Sequence, residues 1–383
     1  MSTLEWLKRL IEFDTTSRNS NLELISCAQA WFERHHLQTR ITRDPRQAKA
    51  NLFATLPAQN GSVDGGVILS GHTDVVPVDG QQWDTPPFTA VLRDDKVYGR
   101  GACDMKGFLA VLLALVPEFV RLKLSHPVHF AFSYDEEVGC LGASVMITDL
   151  QHAGIKPAAC IVGEPTSMRP VVAHKGVQVF RCRIRGRAAH SSLTPQGCNA
   201  IEYAAKLICH IRSLADEFNR EGPFDRHFDV PFTTVSTNMI QGGHARNIIP
   251  EQCEFFFEFR HLPGIQPRSV IDRITAYVQE AIQPQMQKEY GDAGIEIDAV
   301  AAVPGFEAGD DAVVSWLARA AGLENEIRKV AYATEAGLFQ QAHIPVLVCG
   351  PGSIEQAHRA NEFVTLDQLA LCEDFLRKVV KTF

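Results

Sequence analysis

The chain has 383 residues, 45% hydrophobic and 21% charged, with 37 basic and 45 acidic residues and a net charge of −8. This is the composition of a globular protein, long enough for two domains. It has no basic run for a nucleic-acid partner and no apolar window near the roughly 18 residues of a membrane span, so a cytoplasmic location without nucleic-acid or membrane contact is expected.

Residues 1–13 mix apolar positions with Glu5, Lys8, Arg9 and Glu12, which predicts an amphipathic first helix rather than a signal peptide. Residues 67–70 form an apolar strand that stops at Gly71. Residues 108–122 read as a helix whose first part, 108–116, is apolar enough to be buried, and 128–133 and 158–162 read as strands. Strands separated by helices predict an α/β fold, a mixed and mostly parallel sheet sandwiched by helices. The pattern changes near Gly176. Strands are expected at 177–184, 233–240, 252–260 and 295–301, with helices at 199–218 and 267–282. That order, strand–helix–strand–strand–helix–strand, is an α+β split-βαβ unit. The α/β pattern then resumes with a helix at 311–321, a strand at 346–349 and a closing helix at 365–382. The expected organisation is a discontinuous first domain, 1–176 and 293–383, with a second domain inserted at 177–292. The ten cysteines include no C-x-x-C pair and sit mostly among apolar neighbours, which predicts reduced thiols rather than disulfides or a zinc–thiolate site.

Five segments carry metal-capable side chains just beyond expected strand ends: His72 and Asp74, Asp104, Glu136 with Glu137, Glu164, and His358. In α/β sheets ligands bind beyond the carboxyl ends of strands. Two imidazoles and three carboxylates suit two divalent metals when one carboxylate bridges them about 3.5–4 Å apart. Glu136 is then left over beside a ligand, as a general base requires. Taken singly, each has an ordinary alternative: Asp104 as a helix cap, Glu136 and Glu137 as a solvated loop, Glu164 as a turn residue before Pro165, and His358 as a loop cap.

Gly71-His-Thr-Asp-Val-Val-Pro77, Tyr98-Gly-Arg-Gly-Ala-Cys-Asp104-Met-Lys-Gly107, Asp135-Glu-Glu137 and Gly163-Glu-Pro165 resemble the motifs of the dizinc metallopeptidase family. That family holds acetylornithine deacetylases, succinyl-diaminopimelate desuccinylases, aminoacylases and glutamate-releasing carboxypeptidases. The motifs occur in order, with His72, Asp104 and Glu136 standing 32 residues apart. His174-Lys-Gly176, Thr334-Glu-Ala336 and the segment from Gly350 to His358 resemble the acetylornithine deacetylase branch. The resemblance implies a zinc-exopeptidase-like catalytic domain in which the inserted domain forms a homodimer and a lid. It implies one metal on His72, Asp104 and Glu164 and another on Asp104, Glu137 and His358, with zinc expected and cobalt as an alternative. Glu136 would be the general base acting on a water between the ions, and Asp74 would orient His72. His190 would reach the other subunit's site. Arg260 and Asn247 would bind substrate, Arg260 through its α-carboxylate, with Glu335 facing a cationic side chain such as ornithine's. The implied reaction is removal of the acetyl group from N-acetyl-L-ornithine in arginine biosynthesis. The same chemistry on succinyl-diaminopimelate, acylcitrulline or general N-acyl amino acids, or as a small carboxypeptidase, is the alternative, and a catalytically dead binding scaffold a remote one.

Overall fold

The computed structural model describes residues 1–309, 312–320 and 328–382. The chain opens with α1 (Thr3–Ile11), started by a capping box in which Ser2 and Glu5 satisfy each other's backbone N–H. Its apolar positions Trp6, Leu7, Leu10 and Ile11 share one buried face. Then follow α2 (Leu22–Arg34), β1 (Gln38–Arg43), β2 (Ala50–Leu56), β3 (Val67–His72), α3 (Lys106–Phe119), β4 (Val128–Ser133), α4 (Leu141–His152) and β5 (Ala159–Pro165). The inserted unit contributes β6 (Gly176–Arg185), α5 (Ala200–Glu221), β7 (Thr234–Gly242), β8 (Gln252–His261), α6 (Pro267–Tyr277), α7 (Gln283–Glu289) and β9 (Gly294–Val303). The chain returns through α8 (Ala312–Ala320), α9 (Ala336–Gln341), β10 (Val346–Gly350) and α10 (Leu366–Thr382). The end positions of the expected helix 311–321 lie outside the described residues.

Two compact units result: Met1–Ala173 with Phe306–Arg328 and Thr334–Phe383, and His174–Gly305 with Lys329–Ala333. In the first unit the six-stranded sheet runs β1-β2-β4-β3-β5-β10. The four strands β4, β3, β5 and β10 are parallel, while β1 and β2 pair antiparallel at one edge. Those four strands are buried on both faces, which is why they read as continuous apolar runs rather than alternating ones. α3 is buried nearly all round. It packs so closely that a Cβ on Gly163 would lie 2.1 Å from the Phe108 ring, so β5 needs glycine one residue before Glu164.

The second unit is an antiparallel sheet in the order β7-β8-β6-β9. α5 begins at Asn199, whose side chain accepts from the Ile201 and Glu202 N–H groups. Its core joins Phe180, Cys182 and Ile184 of β6 to Phe255, Phe257 and Phe259 of β8 and to the apolar faces of α5 and α6. The main stretch of the unit runs to Gly305, past 292, because β9 pairs with β6 along its length and completes the sheet. All ten cysteines are free, and Cys209 is exposed. Among the described residues no helix is long and apolar enough to cross a membrane.

Candidate metal centre

The carboxyl ends of the parallel strands of the first unit deliver most of the cluster. β3 ends on His72, Glu164 lies inside β5, and after β4 the chain turns through Tyr134 and Asp135 to Glu136 and Glu137. His358 sits in the loop beyond β10 with a left-handed φ of 62°. Asp104 arrives differently from expectation: it lies in the turn leading into α3, not at the end of a sheet strand.

The two oxygens of Asp104 face two different imidazoles. Oδ1 lies 2.9 Å from His72 Nε2, and Oδ2 lies 3.3 Å from His358 Nε2. His358 Nε2 is also 3.1 Å from Glu137 Oε2, and His72 Nε2 is 3.9 Å from Glu164 Oε1. Ligand atoms of His72, Glu136 and Glu164 lie within 4.8 Å of one another, as do those of His72, Asp104 and Glu137. All six residues are therefore brought together.

Asp74 meets His72 chiefly through its backbone. The His72 Nδ1–H donates to the Asp74 backbone carbonyl at 2.9 Å, while the Asp74 carboxylate is 3.6 Å away. That carboxylate instead accepts from the Glu136 and Glu137 N–H groups, at 3.0 and 3.3 Å, and from the Ser17 hydroxyl at 2.7 Å. It thus fixes the turn carrying both glutamates. The part-buried ion pair of Lys49 with Asp135, whose φ is 54°, also holds this turn. The Cys140 thiol donates to Glu136 Oε1 at 3.4 Å.

Burial pushes the Glu136 carboxyl well above the usual range, and the charges of Glu137 and Asp104 add to it. Burial, then Asp104, pushes Glu137 up to about 6. Glu164 is raised well above its ordinary value by the same causes. Burial opposes the ionised form of Asp104 as well, but its hydrogen bonds with His358 and His72 win and hold it below the usual range. His358 is raised to about 11 by its bonds with Asp104 and Glu137.

These directions describe too much negative charge in too little water. Asp74, Asp104, Glu136, Glu137, Glu164 and Glu335 surround two imidazoles, and Glu137 Oε1 is buried without a hydrogen-bond partner. Uncompensated buried charge is strongly destabilising. Divalent cations answer it, and nitrogen with carboxylate oxygen is the donor set of zinc, cobalt or manganese. The residues present fit a pair of such ions.

Glu335 is 1% exposed, and its carboxylate accepts from the Ser133 and Ser70 hydroxyls. In the second unit, His190 is exposed and its Nδ1 is engaged by Ser192, Asn247 is exposed, and Arg260 donates through Nε to Glu258 at 3.0 Å. Cys140, Arg100 and Glu362 join the cluster's surroundings without having been expected there. Arg100 stands inside the motif from Tyr98 to Gly107, and Glu362 only four residues beyond His358.

The sequence profile of peptidase family M20/M25/M40 matches residues 68–382. An acetylornithine deacetylase of Pectobacterium carotovorum subsp. carotovorum is 35% identical over 371 residues, 97% of this chain and 93% of that relative. An acetylornithine deacetylase of Pasteurella multocida is 35% identical over 366 residues, 95% and 92% of the two chains. Among solved structures, an M20 family metallo-carboxypeptidase from Sulfolobus solfataricus superposes with a TM-score of 0.78 at 17% identity, covering 100% of this chain and 99% of that one. A dinuclear metal-binding peptidase of the M20 family from Bacillus subtilis superposes with a TM-score of 0.66 at 17% identity, covering 100% and 98%.

Proposed function

The chain belongs to peptidase family M20/M25/M40, and on that premise we propose that it is a metal-dependent hydrolase of a linear amide, removing the acetyl group of N-acetyl-L-ornithine to give L-ornithine and acetate in arginine biosynthesis. The observation that carries this reading is the Asp104 cluster, one carboxylate between two imidazoles with Glu136 at its side, in a chain alike over nearly its whole length to acetylornithine deacetylases. His72, Asp104 and Glu164 would hold one ion, and Asp104, Glu137 and His358 the other, zinc being the metal proposed and cobalt one the same donors accept. Such a pair supplies Lewis-acid polarisation of the scissile carbonyl and acidifies the attacking water.

Glu136 then takes the proton from the attacking water. Its Oε1 is occupied by the Cys140 thiol, which leaves Oε2 for the transfer. Asp74 holds the Glu136 backbone N–H and so sets where that carboxylate reaches. When the tetrahedral intermediate collapses, Glu136 returns the proton to the leaving nitrogen, and acetate and the free amine depart. Arg260 and Asn247 are assigned to the substrate. The Arg260 bond to Glu258 uses Nε, which leaves its two Nη groups for an α-carboxylate. The test is a panel of N-acetylornithine, succinyl-diaminopimelate, N-acetylcitrulline, N-acetylmethionine and a dipeptide. N-acetylornithine is expected to lead in kcat/KM by about 10²-fold. A lead for succinyl-diaminopimelate would replace the substrate while keeping the chemistry. Hydrolysis of none of them by the metal-loaded protein would favour a binding scaffold.

Two copies are proposed to pair through the inserted unit. β7 is the edge strand of its sheet, and Leu193, Ile201, Met239, Ile240 and Ile248 are exposed in that unit, Met239 at 65% and Ile240 at 56%. An unpaired edge with apolar side chains invites a partner. His190 is assigned to the oxyanion forming in the neighbouring copy's site. The double variant Met239→Glu, Ile240→Glu is expected to elute as a folded monomer in light-scattering chromatography, with kcat lowered about 10²-fold, the size of a lost oxyanion donor. A fully active monomer would exclude the crossed role of His190. A cytoplasmic location is supported by the ten free cysteines.

A further inference from the structure

Glu362 lies outside every expected ligand position, yet it is 1% exposed and meets only donors. Its Oε1 accepts the Cys103 N–H at 2.8 Å and the Asp104 N–H at 3.0 Å. Its Oε2 accepts the Gly101 N–H at 3.0 Å and Arg100 Nη1 at 2.8 Å. These amides belong to the turn before α3, whose N-cap, Met105, offers no side-chain acceptor. One carboxylate therefore satisfies three inward N–H groups of the turn that presents Asp104.

The same network reaches the His358 loop. Arg100 Nη1 also donates to the Arg359 carbonyl at 3.3 Å, and Arg100 Nη2 donates to Gln81 Oε1 at 2.5 Å. Gln81 Nε2 in turn donates to the His358 carbonyl at 2.8 Å. His358 is in the left-handed region, where a residue with a Cβ stays only when its surroundings hold it. A buried ion pair such as Arg100 with Glu362 costs desolvation that an apolar pair of similar volume would avoid, so stability alone is a poor reason for it.

We propose that Glu362 is a positioning residue that locks the Asp104 turn and the His358 loop into one frame, and thereby sets how tightly the chain holds its two divalent ions. The proposal rests on the metal-site reading above. Partners one bond removed from metal ligands commonly govern affinity by about 10–100-fold. Because Asp104 faces both imidazoles, loss of the frame weakens both ions.

The experiment titrates zinc into chelator-stripped protein by calorimetry, comparing wild type with Glu362→Gln. The amide keeps the shape but turns a donor toward groups that already donate. The expected result is two ions per chain for both proteins, with affinity about 10–100-fold lower in the variant. At saturating zinc the variant is expected to recover kcat with KM near the wild-type value, which a general loss of fold would not allow. If Glu362→Gln does not fold, Glu362→Asp carries the same comparison, with the charge kept and the reach shortened. Wild-type uptake of two ions with equal affinity in the variant would overturn the proposal alone. A wild type that takes up no zinc would overturn the site reading and the proposal together.

Discussion

Glu136→Gln is expected to lower kcat by about 10³-fold, within the range that a positioned acid–base group contributes, while the protein still takes up two divalent ions. The substitution is nearly isosteric. It keeps the backbone N–H held by Asp74 and an acceptor for the Cys140 thiol, and removes only the ability to take a proton. Glu136 is not one of the groups nearest the two imidazoles. His72 faces Asp104 and Glu164, and His358 faces Asp104 and Glu137. Turnover and metal content should therefore separate, with KM little changed. Asp104→Asn supplies the contrast, because it removes the carboxylate shared by both imidazoles and should lose metal and turnover together. Steady-state kinetics with metal analysis on both variants reads the difference. Near-wild-type turnover in Glu136→Gln would transfer the base role to another group.

The residues of the acidic cluster were legible because their chemistry is local. A His or carboxylate at the end of an apolar run announces itself: His72, Glu137 and His358 stand at or beyond the ends of buried parallel strands, and Glu164 is the last residue but one of another. Asp104 joins the cluster by a different route from a strand end, since its turn is held from a distance by Glu362. That is also why Glu362 was invisible: its partners lie about 260 residues away in the chain, and no spacing rule reaches so far. α4 went unread because the residue before it, Cys140, is left-handed and makes no cap, so the usual Ser, Thr, Asp or Asn start signal is missing. α2 begins at Asn21, whose side chain does not cap it but bonds Ala50 and Thr73. β1 pairs at the sheet edge through the mixed sequence Gln-Thr-Arg-Ile-Thr-Arg, half exposed, which lacks an apolar run. The serine partners of Glu335 were equally out of reach of the sequence, because Ser70 and Ser133 lie 265 and 202 residues away in the chain.

Removal of the metals is expected to abolish turnover and to reverse the way stability responds to pH. In the metal-free protein Glu137 is raised, by burial and then by Asp104, from 4.5 to about 6. Between those values the folded chain keeps a proton that the unfolded chain releases, so stability present at pH 4.5 is lost as pH rises through about 6. That gap is worth about 2 kcal/mol. The raised carboxyls of Glu136 and Glu164 act in the same direction and carry the loss to higher pH. His358, raised to about 11 by Asp104 and Glu137, holds a proton that the unfolded imidazole gives up above 6.5, so its contribution also fades on the alkaline side. Asp104 runs the other way, but its gain is complete above its ordinary value of 3.8 and adds nothing over this window. Bound cations replace those protons, and their affinity grows as the ligands lose them. Calorimetry of chelator-stripped protein should therefore show a Tm that falls by about 2–5 °C between pH 5 and 8 for the Glu137 contribution, the part of the gap that lies above pH 5. Added zinc should do little at pH 5 and most at pH 8, with zinc or cobalt restoring turnover. A metal-free protein whose Tm climbed over that interval would mean that the acidic cluster is neutralised from within, and the case for two cations would lose its electrostatic ground.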